Sequence, residues 1–579
     1  MQRNEMVPAW AGALAGLVAG GVALGVAQLA AGLVGPETFP VVAVGDVTVD
    51  LTPAPVKDFA IRTFGENDKA VLVGGVLVVL ALVAALIGVL ARRRSVYGVA
   101  GLAAFGVVGV LAVLTRPDAG VLDVLPTVVG VAVGAWALSW LLRRATGGAA
   151  RAGDTGPSDA DAADAGTVTG DIPGDVTGDA AERPVGAGRS AETGRSAEAE
   201  RSAESGRSAE VERPAVMRAG ADLRAFDRRK LLTGVAGGVV VAGAATVLGR
   251  QLGGRQAVDA ARVGVALPKP ATLAKPIPAG ADLRINGLSP FITRNQDFYR
   301  VDTALVVPQV DPNTWKLRIH GLVDRPVELT YADLLKMPLT EADVTLTCVS
   351  NEVGGEYAGN ARWLGVRMSE VLRQAGLRSD ADMLLSTSED GFTCGTPVDV
   401  VMDGREALFA IAMNGEVLPV DHGFPVRQVV PGLYGYVSAT KWVVDVKVTR
   451  FDRDEAYWTP RGWSAKGPIK TQSRIDVPKS GDSLKAGRVT IAGVAWAQHT
   501  GVDAVEVRVD RQEWRQAKLA QVPGPDTWRQ WSIDWDATAG QHTIQVRATD
   551  AAGYTQVEQE APPAPDGATG WHTITVKVA

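Results

Sequence analysis

TCVSNEVGG, residues 347–355, puts a cysteine at the end of a strand-like run (DVTLTCV, 343–349) and follows it with a polar, glycine-rich turn. Cys348 is one of only two cysteines among 579 residues, the other being Cys394. Two cysteines make no disulfide framework, and no CxxC or CxxCH spacing occurs. Covalent haem and four-cysteine iron–sulfur sites are therefore excluded. A free cysteine is most often a small buried hydrophobe, so any chemical role for this one has to be read from its neighbours.

Three neighbouring stretches change the reading. DHGFPVRQVVPG (421–432) sets His422 and Arg427 five apart, with prolines on both sides. SATKW (438–442) places Ser438 and Lys441 before an aromatic residue, and FITRNQDFYR (291–300) offers Arg294 and Asn295. Together they supply a soft thiolate, several cations and many amide donors. Thiolates favour soft metals, and Arg and Lys favour phosphate. The set suits a metal carried by a large anionic organic ligand.

Around these stretches, strand-like and helical segments alternate. WKLRIHGLV (315–323) reads as a strand, while YADLLKMP (331–338) and SEVLRQAGL (369–377) carry leucines at helical spacing. From residue 487 onward the chain reads as all-β. VDAVEVRVD (502–510) and HTIQVRATD (542–550) alternate between turn residues, which predicts a sandwich of about 95 residues.

The first 250 residues differ. Apolar runs at 9–34, 70–91, 96–115, 120–142 and 231–249 are long enough to span about 30 Å of hydrocarbon. Arg92–Arg94, Arg143–Arg144 and Arg228–Lys230 fall on one side if every run spans, and positive charge marks that side as cytoplasmic. The N-terminus is then inside, and everything beyond about residue 250 outside. Residues 145–225 are rich in Gly, Ala, Asp and Ser and repeat RSAE every six residues from 189 to 210. That composition cannot bury enough apolar surface to fold, so it reads as a disordered cytoplasmic linker. FDRRKLLTGVAGG (226–238) resembles a twin-arginine export signal; a plain positive-inside flank is the alternative. The first histidine is His320, so no span carries an axial ligand for haem. An anchor or docking platform is the expected role of this half. The net charge of −6 gives no basic stripe for nucleic acid.

Residues from about 285 to 470 resemble the molybdenum-cofactor domain of the sulfite oxidase family. The resemblance rests on FITRN (291–295), TLTCxxN (345–351), ARWLGV (361–366), MNGEVLPVDHGFPVR (413–427), Pro431–Gly432 and Lys441–Trp442. AGVAW (492–496) and RQWSIDW (529–535) are similar to the family's dimerisation domain. The implied organisation is multi-domain: a four-helix transmembrane region (1–144), the linker (145–225), a twin-arginine-like signal or fifth transmembrane helix (226–250), an α+β molybdopterin domain (255–475) and an immunoglobulin-like sandwich (479–579). The resemblance also implies roles. Cys348 binds molybdenum, and the other sulfurs come from the pterin dithiolene. Asn351 shapes the approach to the metal. Arg294 and Asn295 belong to the loop around the cofactor, His422 and Arg427 contact pterin and phosphate, Ser438 and Lys441 bind the phosphate end, and Asp390 contacts the cofactor. Cys394 is a buried spectator near it.

The chain departs from that pattern at the substrate. Where sulfite oxidases carry two arginines after the asparagine, this chain has Glu352 and Val353. The family tyrosine is replaced by Trp463 in YWTPRGW (457–463), and Arg461 survives. An acid in place of an anion-holding arginine repels sulfite, unless Arg461 or Arg294 compensates. The expected activity is two-electron oxygen-atom transfer at molybdenum on a small substrate, an uncharged or organic sulfur compound among the candidates. The alternatives are a sulfite dehydrogenase with an altered anion pocket, and a cofactor-free scaffold. With no haem, iron–sulfur or nicotinamide motif in the chain, electrons require a separate carrier, either an exoplasmic cytochrome or a quinone-linked membrane partner. A homodimer through the sandwich is a further expectation, and the bacterial plasma membrane, with the catalytic domain outside, is the expected location.

Overall fold

Runs of Ala, Val, Leu and Gly bounded by basic residues fold as helices. In the computed structural model these runs form α1 (Ala9–Val34), α2 (Pro40–Leu51), α3 (Asp68–Ala91), α4 (Ser95–Leu114), α5 (Leu125–Ala145) and α6 (Arg228–Leu252). The structure describes residues 7–53, 68–115, 120–145, 227–252 and 255–579, with Val56, Phe59, Thr63 and Phe64. The expected linker over 145–225 lies outside the described residues except for Ala145. Five helical stretches, at α1, α3, α4, α5 and α6, are long and apolar enough to cross a membrane. The short apolar helix α2 was not anticipated.

Glycines set how closely these helices approach. A Cβ added at Gly16 of α1 would fall 2.1 Å from the Ala84 carbonyl oxygen of α3, and one at Gly25 2.6 Å from the Ala242 carbonyl oxygen of α6. In lipid, where burying apolar surface gains nothing, such backbone approach is what packs helices together. At one end of the bundle, Arg92 donates to the Val7 carbonyl (3.4 Å), the Arg228 guanidinium lies 6.0 Å from the Trp10 ring centre, and the Asp227 N–H donates to the Ala145 carbonyl (3.0 Å).

Beyond α6, helix α7 (Arg255–Val263) docks on the next domain, where Arg262 donates to the Leu418 and Val417 carbonyls at 2.6 and 2.8 Å. That domain holds two sheets. One, in spatial order, is β2 (Val327–Thr330), β1 (Lys316–Gly321), β10 (Val443–Thr449), β5 (Met383–Ser388) and β6 (Thr393–Pro397). The other is β3 (Leu339–Thr347), β4 (Ala358–Arg367), β7 (Leu408–Met413) and β8 (Glu416–Val417), with β9 (Arg427–Val429) paired to β7. Helices α8 (Tyr331–Lys336) and α9 (Met368–Ala375) match the leucine-spaced segments of the sequence. Thr330 and Asp333 form a capping box at the start of α8. The main core lies among Leu317, Ile319, Leu334, Val366, Leu372 and Phe409, all at most 1% exposed.

The C-terminal domain is a two-sheet β structure. One sheet runs β11 (Gln472–Val477), β13 (Gly487–Trp496), β17 (Arg529–Ala537), β16 (Lys518–Leu519). The other runs β12 (Ser483–Leu484), β19 (His572–Val578), β18 (Gly540–Asp550), β14 (Val502–Val509), β15 (Arg515–Gln516). The expected boundary at 475–479 cuts through β11. Its pairing with β13 (Gln472 opposite Trp496) puts Gln472–Ser473 in the sandwich, because backbone pairing, invisible in composition, decides the edge.

Gly25→Leu, which drives a side chain into the α6 backbone, is expected to cost about 1–3 kcal/mol of bundle stability. Gly74→Leu, at a position with nothing within 4 Å, is the control. Thermal unfolding in detergent checks the difference.

Candidate cofactor site

Strand β3 ends at Thr347 and delivers Cys348 to the rim of the sheet. The Cys348 N–H donates to the Tyr357 carbonyl (3.0 Å), and its carbonyl accepts from the Asn351 N–H (3.1 Å). The Asn351 side chain closes the turn by accepting from the Tyr357 N–H at 2.8 Å. Asn351 thus shapes the cysteine loop. Cys348 is 8% exposed, and burial pushes its thiol pKa up; the Ser350 N–H, 3.4 Å from the sulfur, and the nearby Lys441 charge work against that rise. Both cysteines are free. Cys394 lies on β6, fully buried, its thiol pushed up to about 11 chiefly by burial. Among the described residues no group of three His, Cys, Asp or Glu gathers to hold a metal ion.

The turn after β8 and strand β9 bring in the cations. Arg427 is 4% exposed. Its guanidinium donates to the carbonyls of His422 (3.1 Å), Gln428 (3.4 Å) and Ala439 (3.5 Å) and lies 5.0 Å from the Trp363 ring centre. Among the described residues no carboxylate pairs with it. Burial lowers its pKa to about 10. Lys441 is 8% exposed and donates to Asp302 (2.9 Å) and to the Asp421 carbonyl (3.2 Å). Burial pulls its pKa down to about 8 against the opposing pull of Asp302. Gly423, at φ +109°, lets the chain pass between them: a Cβ there would fall 3.0 Å from the Arg427 Cβ and 3.1 Å from the Lys441 Cα.

His422 carries a second mark of an open site. Its Nε2 lies 2.9 Å from the Asn295 carbonyl, so Nε2 bears the proton and Nδ1 is an acceptor. Nδ1 is buried and has no partner among the described residues. Burial, then Arg427 and Lys441, lower the imidazole pKa to about 4. An unsatisfied buried acceptor costs about 1–3 kcal/mol, which a ligand N–H or O–H would recover.

The other expected residues divide. Asn295 acts through its backbone carbonyl on His422, and its side-chain oxygen accepts from Asn414 at 2.8 Å. Asp390 accepts from Thr303 and from the Phe392 N–H, both at 3.3 Å. The Ser438 hydroxyl is directed at the Leu433 and Tyr434 carbonyls (3.1 and 2.9 Å) of its own turn. Arg294 is outside the group: its side chain is 71% exposed and paired with Asp297. Arg461 folds back, donating to the Tyr457 carbonyl (2.6 Å) and covering the Tyr457 ring at 3.7 Å. Trp463 packs against Tyr436 and Trp458, with ring centres 6.0 Å apart in each case.

Two residues went unread in the sequence. Tyr299 is half-buried, its phenol pKa raised by burial and by Cys348 and lowered by Arg427, so it lies within electrostatic reach of both. Asp302 anchors Lys441. Both sit in FYRVD (298–302), two residues past the FITRN signal, and sequence gives no hint which of these polar residues turns inward.

The C-terminal domain braces the cysteine strand. Gln498 donates to the Thr345 carbonyl and the Thr347 hydroxyl, both at 3.0 Å, and the Trp528 N–H donates to the Thr345 hydroxyl at 2.7 Å. Arg474 donates to the Gly355 carbonyl at 2.8 Å, and a Cβ at Gly354 would fall 2.3 Å from the His572 ring.

Residues 304–458 match the oxidoreductase molybdopterin binding domain model, and 472–546 match a bacterial Ig domain. The chain is 33% identical over 344 residues to the mitochondrial sulfite oxidase of Mus musculus, covering 48% of this chain and 62% of the relative. It is 32% identical over 324 residues to that of Homo sapiens, covering 47% and 58%. The chain thus spans about 60% of these curated relatives. The uncharacterized oxidoreductase YuiH of Bacillus subtilis (strain 168) is 33% identical over 157 residues, 27% of this chain and 76% of that protein. Among solved structures, the sulfane dehydrogenase SoxCD from Paracoccus pantotrophus aligns with 25% identity and a TM-score of 0.43, over 50% of this chain and 81% of its own.

His422 is neutral when folded above about pH 4 and binds a proton near pH 6.5 when unfolded. The unfolded state therefore gains protons first on acidification, and this histidine's contribution to stability is lost as pH falls from about 6.5 through about 4. The parent is expected to lose more stability than His422→Gln over that window, on the order of 3 kcal/mol at full effect. Paired melting curves at stepped pH measure it.

Proposed function

Since the chain belongs to the sulfite oxidase family of molybdopterin-dependent oxidoreductases, we propose that it is a membrane-anchored enzyme whose catalytic domain faces the exoplasmic side and moves an oxygen atom to or from a small substrate. The observation that carries this reading is the buried group of Cys348, His422, Arg427 and Lys441. Among the described residues it combines one soft donor, one unpartnered acceptor, a cation without a carboxylate and a glycine cradle. Those features fit a molybdenum-bearing pterin with a phosphate end. When bound, that group supplies the two-electron couple and the oxygen-transfer centre.

The chain's own residues then have definite tasks. Cys348 would ligate the metal as thiolate, favoured by the Ser350 N–H and the charge of Lys441. His422, its Nε2 held by Asn295, would offer Nδ1 as an acceptor to the pterin. Arg427 and Lys441 would take the anionic end. Ser438 and Asp390 shape the walls through their own turns.

The substrate is read from the rim. Glu352 is exposed and Val353 apolar where the family pattern has arginines. The two candidates for compensation are engaged elsewhere, Arg461 on Tyr457 and Arg294 on Asp297. Together with the aromatic packing of Trp463, this supports an uncharged or organic substrate over sulfite. Orientation follows from charge: Arg92, Arg143–Arg144 and Arg228–Lys230 mark the cytoplasmic end of the helices, and the twin-arginine-like flank is consistent with export of a folded, cofactor-loaded domain. Electrons pass to or from a separate carrier.

The parent purified from membranes is expected to hold near-stoichiometric molybdenum and pterin and to turn over sulfoxides rather than sulfite. Cys348→Ser is expected to keep pterin while losing activity by about 10³-fold or more. Well-folded parent protein without metal or pterin would sink the reading. Sulfite turnover with inert sulfoxides would overturn the substrate class alone.

A further inference from the structure

One carboxylate joins the helical bundle to the cofactor site. Asp302 lies on the segment after FITRN, with its side chain 5% exposed. Its Oδ1 pairs with Lys69, the second residue of α3, and its Oδ2 pairs with Lys441 at 2.9 Å and Arg300 at 3.0 Å. Lys69 also donates to the Ala304 carbonyl at 2.8 Å. A second contact lies beside it: a Cβ at Gly45 of α2 would fall 2.6 Å from the Leu305 Cδ1. Burial alone would raise the Asp302 pKa, but Lys441, Lys69 and Arg300 outweigh it and hold the carboxyl below the usual carboxylate range. The carboxylate is thus ionised and gripped from both oxygens.

Its two ends do different work. One oxygen belongs to the bundle, the other to the site. Without Lys69, Oδ1 loses that cation, the carboxylate is free to rotate, and both oxygens turn toward Lys441 and Arg300. Lys441 would then be neutralised more fully and drawn from its place beside Gly423. An ammonium committed to a buried carboxylate is a poorer partner for a phosphate.

We propose that Lys69 is a positioning residue for the cofactor pocket: acting through Asp302, it sets the Lys441 ammonium for the anionic end of the cofactor, so that the membrane helices complete the site rather than only anchoring it. This rests on the molybdopterin reading above. It makes retention of the cofactor dependent on a residue outside the catalytic domain.

The test uses the full-length chain, solubilised from membranes, as parent, Lys69→Met, Lys69→Arg and Lys69→Gln. Pterin released on oxidation and molybdenum are counted per chain, before and after a wash in inorganic phosphate, beside thermal unfolding. Lys69→Met, which keeps the aliphatic stem, is expected to retain at least about fivefold less pterin after the wash, while Lys69→Arg stays at the parent level and melting is unchanged. Parent-like retention in Lys69→Met overturns the proposal. So does an equal loss in Met and Arg accompanied by a lower melting temperature, which marks a contact of support only. Should Lys69→Met fail to accumulate, Lys69→Gln, which keeps a donor without the charge, decides: pterin loss without a melting change supports the coupling, and parent-like retention overturns it. A parent devoid of pterin overturns the molybdopterin reading as well, whereas a loaded parent with unaffected variants overturns this inference alone.

Discussion

The structure of the catalytic domain turns on burying positive charge without matching negative charge. Taking an ion out of water costs several kcal/mol even after relaxation. Arg427 meets that cost with backbone carbonyls and the face of Trp363, and Lys441 with Asp302 and one carbonyl. Neither arrangement neutralises the pocket. Strand ends and turns bring these groups together. Gly423 removes the Cβ that would separate them, and Asn295 spends a carbonyl to fix the ring of His422.

The C-terminal domain bears none of the residues assigned to the chemistry, yet it governs the shape of the cysteine loop. Gln498 and Trp528 fix the last residues of β3, and Arg474 and His572 close on the glycines that follow Cys348. A strand edge needs its backbone groups satisfied, and here side chains of a neighbouring domain do this. The position of Cys348 is therefore a property of two domains. The His572 ring, half-buried against Gly354, also explains why the loop after Asn351 carries glycine: any side chain there would meet the ring.

The helical half adds a third support through a single carboxylate. Lys69 and the contact of Gly45 with Leu305 bring α2 and α3 against the segment that carries Asp302. The basic residues lie toward the other end of the same helices, where Arg92 and Arg228 reach the start of α1. The basic cluster and the contact with Asp302 are thereby carried on opposite ends of one bundle.

By itself the sequence determined the apolar runs, the strand that ends just before Cys348, the all-β character of the C-terminal region and the short motifs that carry Cys348, His422, Arg427 and Lys441. Period, run length and short motifs are local properties, and those elements are built from local preferences. Tertiary structure alone decided the rest. Arg294 sat in the strongest motif yet faces water, because its short-range partner Asp297 lies three residues away and nothing holds it inward. Ser438 turned to its own backbone, since a hydroxyl at the end of a tight turn finds carbonyls before it finds a ligand. Asp302 became the hub of three cations, Arg300 two residues away, Lys441 139 and Lys69 233, and no local window of sequence contains that set. Charge pairing across a fold depends on which chain segments meet, and that is fixed only when the cores of the bundle, the α+β domain and the sandwich have packed.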